Sequence, residues 1–433
     1  MHARLRCVDQ LIFVFASDSA FPTRNQKEWR NRTKDINLNP LLCSELSDHQ
    51  KFHSYLYPSM SSAPIPPTMK ALFQETKNGP LVLKEVSTPQ PGPGSVVVKI
   101  LANLLQHQTP GILSGEAGFT YPVPMTPGGR AVGRVAATGP DTTSLPIGQL
   151  VLLEPFIRAR DDPDTWIFWG AMEGSSEGSK KLFAENWRYA TFSEYAKAPL
   201  EVTWALNENR LCKELGYTIP ELVQLSVDVV AYSGLKGIGL TAGERIIVTP
   251  ATGIFSGAAV GVAVAMGATV LATGRNERAL ERLVSAHPQL VSRIPRTNDV
   301  DTDIKALQQY GPVDAVLEMT PTGAEGSTHV RAAFGALKQY GRVCIMGFGG
   351  GAMKHVEISM MELVYKSITV HGHAMYWGED VKEIIKMAEA GVLKLGKQRG
   401  HDAVTKFGLG DFEKGFDWVG ANHELGQMAV LVP

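Results

Sequence analysis

The segment ERIIVTPATGIFSGAAVGVAVAMGATVLATGR, residues 244–275, is the most informative part of this chain. Residues 246–248 form an apolar run without any charge, which is typical of a buried parallel strand. A turn of small residues leads from this run into a helix rich in glycine and alanine, which can pack closely against a sheet. A second apolar run ends at Gly274. The segment therefore predicts a βαβ unit of the kind that holds a dinucleotide.

The turn inside this unit departs from the usual glycine pattern. A full G-x-G-x-x-G is absent, because Pro250 stands at the first glycine position and Ser256 at the last. The free amides and the dipole of a helix N-terminus still favour a pyrophosphate at this place. An ordinary turn after a strand is the alternative interpretation. The residues that we expect at the pyrophosphate are Thr252, Gly253, Ile254 and Phe255.

The end of the second strand bears on the choice between NADPH and NADH. About 20 residues after the turn, an acidic residue would bind the ribose of NAD, but the chain has Gly274, Arg275 and Asn276 there. Glycine leaves room for a 2′-phosphate, and arginine can bind it through two hydrogen bonds. We therefore predict NADP(H) as the cofactor. The alternative is that Arg275 is a solvated loop charge and that Glu277 binds the ribose.

Composition is that of a soluble enzyme. The 433 residues suffice for two or three domains, and the 42 basic residues nearly balance the 43 acidic ones. This balance gives no electrostatic reason to expect a nucleic acid or an anionic membrane as partner. The four cysteines form no C-x-x-C pair, which indicates a reducing compartment without a disulfide framework. We expect a cytoplasmic protein.

Residues 1–68 differ in composition from the rest of the chain. A short apolar run at residues 11–16 is followed by a polar, basic stretch and then by a proline-rich linker. A mitochondrial presequence is an alternative, although Asp9, Asp18 and Glu28 argue against it. We predict that residues 1–59 are disordered or an error of gene modelling, and that translation starts at Met60.

From Met69 onward the chain divides into a β-rich part and a part with alternating helices and strands. Strands are predicted first at residues 95–102, 130–137 and 149–153, punctuated by glycine and proline. After about residue 199 the pattern alternates, as in a parallel α/β sheet. Strands are then predicted at 313–318, 341–346 and 367–371, and helices at 276–286, 327–338 and 380–390.

Residues 69–433 resemble the medium-chain dehydrogenase/reductase family, and within it the zinc-free, quinone-oxidoreductase-like branch that includes fungal proteins labelled alcohol or isopropanol dehydrogenases. The motifs that carry the resemblance are MKAL from Met69, PGGRAVGRV from Pro127, GQLV from Gly148, LTAGERIIV from Leu240 and GRVCIMG from Gly341. The resemblance implies an α/β fold in which a GroES-like, β-rich catalytic domain is interrupted by a Rossmann domain with a doubly wound parallel sheet. The implied boundaries are 69–205 and 206–375, with residues 376–433 returning to the catalytic domain.

The resemblance also bears on metal binding. Zinc-dependent members hold catalytic zinc through two cysteines and a histidine, and the matching positions here are Gln106, Gly129 and Ser226. Zinc sites are built from thiolate, imidazole or carboxylate ligands, which these residues cannot supply. The four-cysteine structural lobe is missing as well, because no cysteine lies between Glu154 and Tyr195. We therefore predict no metal.

Further site residues follow from the same resemblance. Gln106, His107 and Tyr121 are the candidate catalytic residues, and Tyr232, Gly347 and Phe348 are additional cofactor contacts. Ordinary packing is the alternative for each tyrosine. The aromatic residues of the segment that replaces the cysteine lobe are expected to line a substrate pocket or a dimer contact, or else to pack in the core. These are Phe156, Trp166, Phe168, Trp169, Trp187 and Tyr189.

Hydride transfer without a metal favours a substrate whose developing charge is already delocalised. The leading hypothesis is an NADPH-dependent oxidoreductase that reduces an activated C=C bond of an enone or quinone, or a carbonyl, in a small organic or secondary-metabolite substrate. The alternatives are a non-redox isomerase or cyclase and an NADPH-binding protein on the same fold. Relatives in this family commonly pair through the edge of the Rossmann sheet, so the resemblance also implies a homodimer, with the edge near Val370.

Overall fold

The computed structural model describes residues 65–321, 328–348 and 355–433. The predictions for residues 1–59 and for a start at Met60 lie outside the described residues. Thr68, which the sequence assigns to the N-terminal extension, begins the first strand. Within the described ranges, no helix is both long enough and apolar enough to cross a membrane.

The first ten strands belong to the β-rich part of the chain. They are β1 (Thr68–Gln74), β2 (Leu81–Ser87), β3 (Ser95–Leu104), β4 (Ala131–Thr138), β5 (Leu150–Leu153), β6 (Phe156–Arg158), β7 (Trp166–Phe168), β8 (Met172–Glu173), β9 (Tyr195–Pro199) and β10 (Thr203–Ala205). Eight further strands are β11 (Arg245–Thr249), β12 (Thr269–Gly274), β13 (Val291–Pro295), β14 (Val313–Glu318), β15 (Leu337–Ile345), β16 (Thr369–Gly372), β17 (Thr405–Gly408) and β18 (Ala429–Val432).

The helices lie mostly in the second half of the chain. They are α1 (Thr109–Leu113), α2 (Glu177–Lys181), α3 (Ile219–Leu222), α4 (Leu225–Gly237), α5 (Ile254–Ala265), α6 (Glu277–Ala286), α7 (Val300–Gln308), α8 (Thr328–Ala336), α9 (Met360–Lys366), α10 (Gly378–Glu389) and α11 (Phe412–Ala421). Short 3₁₀ turns lie at Leu200–Val202, Gly396–Arg399 and Leu409–Asp411, and π-helical turns at Leu182–Asn186 and Asn209–Glu214.

The β-rich part is built on a sheet in the order β10-β5-β4-β3-β18-β17, to which β9 adds by pairing with β3. Its strands pair antiparallel, apart from the parallel pair β17 and β18. Strands β17 and β18 come from the last 30 residues, so the C-terminal chain returns to the sheet that the N-terminal part began. This return is the one implied by the resemblance.

A six-stranded parallel sheet in the order β13-β12-β11-β14-β15-β16 forms the second part. The strand order reverses between β11 and β14, and ligands of doubly wound sheets bind beside such a reversal at the carboxyl ends of the strands. The predicted βαβ unit is confirmed as β11, α5 and β12. The predicted fold class is therefore confirmed, while the exact domain boundaries stay predictions.

One predicted boundary is wrong. The sequence predicts a helix through residue 338, but α8 ends at Ala336 and β15 begins at Leu337. Leu337 is buried and pairs with Val313 of the neighbouring strand. Sheet pairing and burial thus outweigh the helix propensity of the residues around Leu337.

The largest hydrophobic cluster joins the two parts. It contains Val132 and Leu152 of the antiparallel sheet together with Val248 and Ala258 of the βαβ unit, all of them buried. Helix α4 contributes several side chains to the same cluster, among them the fully buried Leu225. The ends of β4, β5, α4 and α5 are therefore held by shared packing, and the candidate site lies where these ends meet.

Candidate functional site

The turn after β11 has the geometry that the βαβ pattern predicts. Gly253 is the residue before α5, and its amide donates a hydrogen bond to Ser256 Oγ at 3.1 Å. Thr252 directly precedes Gly253, Ile254 and Phe255 begin the helix, and all three are partly buried. The four predicted pyrophosphate contacts therefore lie together at the N-terminus of a twelve-residue helix. Such a helix end attracts an anion through its free amides and its dipole.

The C-terminal chain packs against this turn. Gly253 forms an antiparallel bridge with Glu424, and the Leu425 amide donates to the Thr252 carbonyl at 3.2 Å. An added Cβ at Gly257 would lie 2.4 Å from Leu425 Cδ1, so a larger residue at this helix position would require the Leu425 side chain to move. The sequence pattern of the βαβ unit contains no signal for this contact, because the partner lies about 170 residues away along the chain.

Two arginines follow neighbouring strands at one edge of the parallel sheet. Arg275 is exposed directly after β12, and Asn276 caps α6 by accepting a hydrogen bond from the Ala279 amide at 3.1 Å. Burial and the charge of Arg275 lower the pKa of Arg296, which follows the neighbouring strand β13. Two guanidinium groups therefore share one edge of the sheet. Arg296 was missed by sequence reasoning, although its place after a parallel strand was a usable signal.

The surroundings of Gly274, Glu277 and Arg296 bear on which residues can bind at this edge of the sheet. A side chain at residue 274 would collide with Thr252 unless Thr252 moved, since an added Cβ at Gly274 would lie 2.5 Å from Thr252 Cγ2. The carboxylate of Glu277, the alternative ribose ligand, faces Arg293 at 3.6 Å and is largely exposed. Arg296 donates from Nη2 to Asn298 Oδ1 at 3.2 Å, and its buried Nε has no partner among the described residues.

The remaining predicted cofactor contacts, Gly347, Phe348 and Tyr232, lie in two different places. Gly347 lies just beyond β15, where an added Cβ would meet the Thr320 amide nitrogen at 2.4 Å, and Phe348 beside it is 84% exposed. Tyr232 on α4 donates its hydroxyl to Glu383 of α10 at 2.9 Å. Burial and this carboxylate raise the pKa of Tyr232 to about 12. The hydroxyl of Tyr232 is therefore engaged by a helix, whereas Gly347 and Phe348 lie at the carboxyl edge of the sheet.

A narrow cleft of about 40 Å³ runs beside the predicted catalytic loop. Gln106, Phe168 and Phe192 are among its lining residues. His107 instead stacks on His423, with ring centroids 5.0 Å apart, and burial together with His423 lowers the pKa of His107. A larger and more open hollow of about 560 Å³ is lined by residues such as Gly148, and it contains none of the predicted site residues.

Tyr121 lies in a hydrophobic cluster rather than at a free surface. Its side chain is buried, and its hydroxyl donates to the main-chain carbonyl of Leu113 at 2.9 Å. Leu113 itself lines the cleft. The structure thus brings Gln106 to the cleft, His107 to the C-terminal chain and Tyr121 behind a cleft wall, and the catalytic role of each stays a prediction.

The aromatic residues of the segment that replaces the cysteine lobe differ in their surroundings. Phe168 lines the cleft, whereas Trp169 and Trp187 are buried in the hydrophobic cluster of the β-rich part. Phe156 packs on Trp166 with ring centroids 5.2 Å apart. Tyr189 remains about half exposed beside Phe73. Pocket lining is thus found for Phe168, and core packing accounts for most of the others.

A buried charged cluster lies close to this cleft and was not foreseen. Arg130 directly precedes β4, and Glu154 directly follows β5. Because β4 and β5 are antiparallel with Ala131 opposite Leu153, these two residues emerge at the same end of the sheet. Arg130 Nη1 lies 3.9 Å from Glu154 Oε2, and both side chains are almost completely buried.

Helix α4 and the chain before α10 complete this cluster. Arg130 Nη1 donates to the Ser226 hydroxyl at 2.8 Å and also to the Ser226 carbonyl. Tyr376 donates its hydroxyl to Glu154 Oε2 at 2.6 Å. Burial raises the pKa of Glu154 to about 7, against the opposing effects of Arg130 and of the Tyr376 hydrogen bond. The signal in the sequence was a charged residue directly beside a buried strand, first at Arg130 and then at Glu154.

These residues do not fit a zinc ion. Gly129 offers no side-chain ligand, and the hydroxyl of Ser226 already accepts a hydrogen bond from a guanidinium group. The permanent positive charge of Arg130 beside Ser226 would repel a divalent cation. In the part of the chain that the structure describes, no group of three or more His, Cys, Asp and Glu side chains is arranged to hold a metal.

Comparison with known families identifies both halves of the chain. The model of the alcohol dehydrogenase GroES-like domain matches residues 92–208, and a second model, described as zinc-binding dehydrogenase, matches residues 256–390. The second range contains none of Gln106, Gly129 and Ser226. That match therefore concerns the dinucleotide-binding half rather than the position of a metal.

Individual proteins give the same picture. An alcohol dehydrogenase of Rhizobium meliloti is 27% identical over 328 residues, which cover 75% of this chain and 89% of that protein. The cobalt- and zinc-bound alcohol dehydrogenase from Pyrobaculum aerophilum superposes with a TM-score of 0.64 at 20% identity, over 84% of this chain and all of that one. The Helicobacter pylori structure entitled CAD complexed with NADP(H) also has a TM-score of 0.64, at 16% identity, over 85% and 99% of the two chains.

Proposed function

We propose a function from the premise that this chain is an alcohol-dehydrogenase-like oxidoreductase of the medium-chain dehydrogenase/reductase family, whose members depend on nicotinamide cofactors. The proposal is that it uses NADPH, without zinc, to reduce an activated C=C bond of an enone or quinone, or a carbonyl, in a small organic substrate of the kind found in secondary metabolism.

The observation that carries the choice of NADPH is the pair of guanidinium groups at the carboxyl edge of β12 and β13. Arg275 is exposed, and the lowered pKa of Arg296 reflects burial together with the like charge of its neighbour. Asp303 partly offsets this effect on Arg296, and two neighbouring cations still favour a doubly charged anion. The 2′-phosphate of NADPH is such an anion, and NADH lacks it.

The residues present fit the rest of the cofactor. The helix end at Gly253 suits the pyrophosphate, and the backbone of Gly347 and Phe348, just beyond the end of β15, is the proposed contact of the nicotinamide. A bound nicotinamide supplies the hydride. The protein must then hold the substrate, exclude water and stabilise the charge that develops on the substrate.

The absence of suitable zinc ligands at Gln106, Gly129 and Ser226 supports reduction of a conjugated substrate. An unconjugated alkoxide concentrates its charge on one oxygen, whereas an enolate or hydroquinone anion spreads it. The side-chain amide of Gln106 is the best-placed candidate in the cleft to donate a hydrogen bond to a carbonyl oxygen. His107 and Tyr121 are weaker candidates, because one stacks on His423 and the other donates to Leu113.

The test begins with cofactor binding and ends with turnover. The purified protein is titrated with NADPH and with NADH while the fluorescence of the reduced cofactor is followed. The oxidation of NADPH is then followed by the loss of its absorbance at about 340 nm, with 2-cyclohexen-1-one, 1,4-benzoquinone and simple ketones as substrates. We expect tight binding of NADPH alone and oxidation with the conjugated substrates. Binding without any turnover would instead favour a cofactor-binding or non-redox role.

We also propose a homodimer through the edge of the parallel sheet. Strand β16 is the edge strand, and it exposes Val370. The adjacent helix α9 has no buried residue, and it exposes Met360, Val364 and Tyr365 by more than 70% each. An apolar helix beside an open strand edge is typical of a surface that a second copy covers. Light scattering that gives the monomer mass at micromolar concentration would contradict this.

A further inference from the structure

The buried guanidinium of Arg130 lies between Phe168, a wall of the cleft beside Gln106, and Phe255 of helix α5. Its Cζ is 5.4 Å from the ring centroid of Phe168, which lines the cleft, and 5.4 Å from that of Phe255. Phe255 belongs to the first turn of α5. Aromatic rings on two sides place the cation beside the cleft wall and beside the first turn of α5, and they keep water away from it.

One nitrogen of this guanidinium is hydrogen-bonded, and another has no hydrogen-bond partner among the described residues. Nη1 donates to the hydroxyl and the carbonyl of Ser226, so the position of the group is fixed by the N-terminus of α4. Nε is buried and has no hydrogen-bond partner within the described residues. A buried, unpartnered donor on a charged side chain is costly unless something binds it. The side chain as a whole is only 3% exposed.

Glu154 does not neutralise this cation by direct contact. Its Oε2 lies 3.9 Å from Nη1, beyond hydrogen-bond distance, and accepts its short hydrogen bond from Tyr376 instead. A buried arginine kept merely for stability would be expected to form a close, two-bond pair with a carboxylate. Arg399 in the same chain has a carboxylate within hydrogen-bond distance, since its Nη1 lies 2.6 Å from Asp228 Oδ1. The charge of Arg130 therefore remains available to act on a ligand.

We propose that Arg130 is the fixed cation that stabilises the negative charge on the substrate oxygen, in the electrostatic place of a metal ion. The inference rests on the proposed function. In the step concerned, the β carbon of an enone would gain a hydride, the C=C electron pair would shift to the bond between the α carbon and the carbonyl carbon, and the carbonyl electron pair would move to the oxygen. A water molecule would then give a proton to the α carbon, which leaves the saturated ketone and hydroxide. The nicotinamide cofactor is oxidised by the same two electrons. Preorganised positive charge near the oxygen lowers the barrier because it needs no reorganisation during the reaction.

The experiment compares four variants of the full chain with the wild type. Arg130→Met removes the charge, and Arg130→Lys keeps a charge on a different head group. Arg130→Met combined with Glu154→Gln removes both buried charges, so that no unpaired carboxylate remains to disturb folding. Arg158→Met is the matched control, since Arg158 donates to the Tyr376 carbonyl at 2.8 Å and packs on Trp377 without facing the cleft residue Phe168.

We expect kcat for 2-cyclohexen-1-one to fall about 100-fold in Arg130→Met and equally in the double variant. The loss with 1,4-benzoquinone should be less than tenfold, because its electron-poor ring needs less stabilisation of the developing charge. Arg130→Lys should retain at least ten times the kcat of Arg130→Met, and Arg158→Met should stay within twofold of the wild type. The Kd for NADPH, measured by fluorescence, should change less than threefold in all four variants.

Three results would overturn the inference. Recovery of kcat in the double variant would mean that Arg130 only neutralises Glu154. Equal losses for the enone and the quinone, in variants whose circular dichroism and urea midpoint show a folded protein, would indicate a structural effect. If the wild type oxidises no NADPH with any conjugated substrate, the proposed function fails and the inference fails with it, which distinguishes that case from the first two.

Discussion

Arg130 and Arg275 present the same chemical group in opposite surroundings. Arg275 is exposed at the end of β12, on a segment whose spacing from the glycine turn predicts its contact with a ligand. Arg130 is buried between two aromatic rings, and its partners come from α4 and from the loop after β5. The exposed arginine has water as an alternative partner, whereas the buried one depends on the few polar groups around it.

The difference indicates where large effects of mutation are to be found. A surface charge interacts through water, so its removal changes little except the binding of a ligand that pairs with it. A buried charge is held by groups that lose their own partner when it is removed. The following predictions test this contrast in stability and in cofactor binding, from the buried cluster outward.

The largest change in stability is expected for Arg130→Met. At pH 8 the free energy of unfolding should fall by about 3–5 kcal/mol, because Glu154 loses the cation whose charge opposes the effect of burial on its carboxylate. The loss should shrink at pH 5.5, where Glu154 takes up a proton and no longer needs a cation. Urea unfolding at the two pH values measures both quantities. A loss that is independent of pH would show that packing, and not charge, is responsible.

Glu154→Gln should remove a pH dependence of stability. Burial raises the pKa of Glu154 from 4.5 to about 7, so the folded protein holds this proton more tightly than the unfolded chain does. The stabilisation is complete below pH 4.5 and is lost as the pH rises to about 7, with a span of up to about 3 kcal/mol. The difference in unfolding free energy between wild type and variant should therefore decline over this window. A flat difference would contradict the raised pKa.

Arg296→Ala should weaken NADPH binding about tenfold, since a charge-assisted hydrogen bond contributes about 1.5–3 kcal/mol and partial exposure reduces that value. The affinity for NADH should be unchanged, because NADH has no 2′-phosphate. Arg293→Ala is the control, as Arg293 lies on β13 as well but faces Glu277 and Glu281. Fluorescence titration with both cofactors gives the ratio. An equal loss of affinity for NADPH and NADH would indicate that Arg296 supports the fold of the site and does not bind the 2′-phosphate.

The smallest effect is expected for Arg278→Ala. The side chain of Arg278 is 77% exposed and forms an ion pair with Glu424 at 3.0 Å. An exposed pair of this kind contributes under about 0.5–1 kcal/mol. Stability in urea and the Kd for NADPH should both stay close to those of the wild type. A tenfold rise in Kd would show that Arg278, rather than Arg296, completes the phosphate site with Arg275.

The regular elements of the second half were predictable because each is recorded in a local pattern. The strands predicted at residues 313–318 and 367–371 appear as Val313–Glu318 and Thr369–Gly372, and the helix predicted at 276–286 appears as Glu277–Ala286. Uninterrupted apolar runs and a capping asparagine are signals that a few neighbouring residues carry alone. The end of α8 was misjudged because pairing with a distant strand decided it.

Local sequence patterns were enough to predict the β-rich and parallel halves and the glycine turn at Gly253, and they place an arginine directly after β12. All of these depend on residue order over short distances, where hydrophobic period, small side chains and charge have local meaning. The folded structure was needed to show that Glu424 and Leu425 cover the turn, that Arg296 lies near Arg275, and that a buried Arg130 contacts Ser226 and lies near Glu154. Such contacts join residues from about 20 to more than 150 positions apart, and only packing of the two sheets in one shared core brings them within reach.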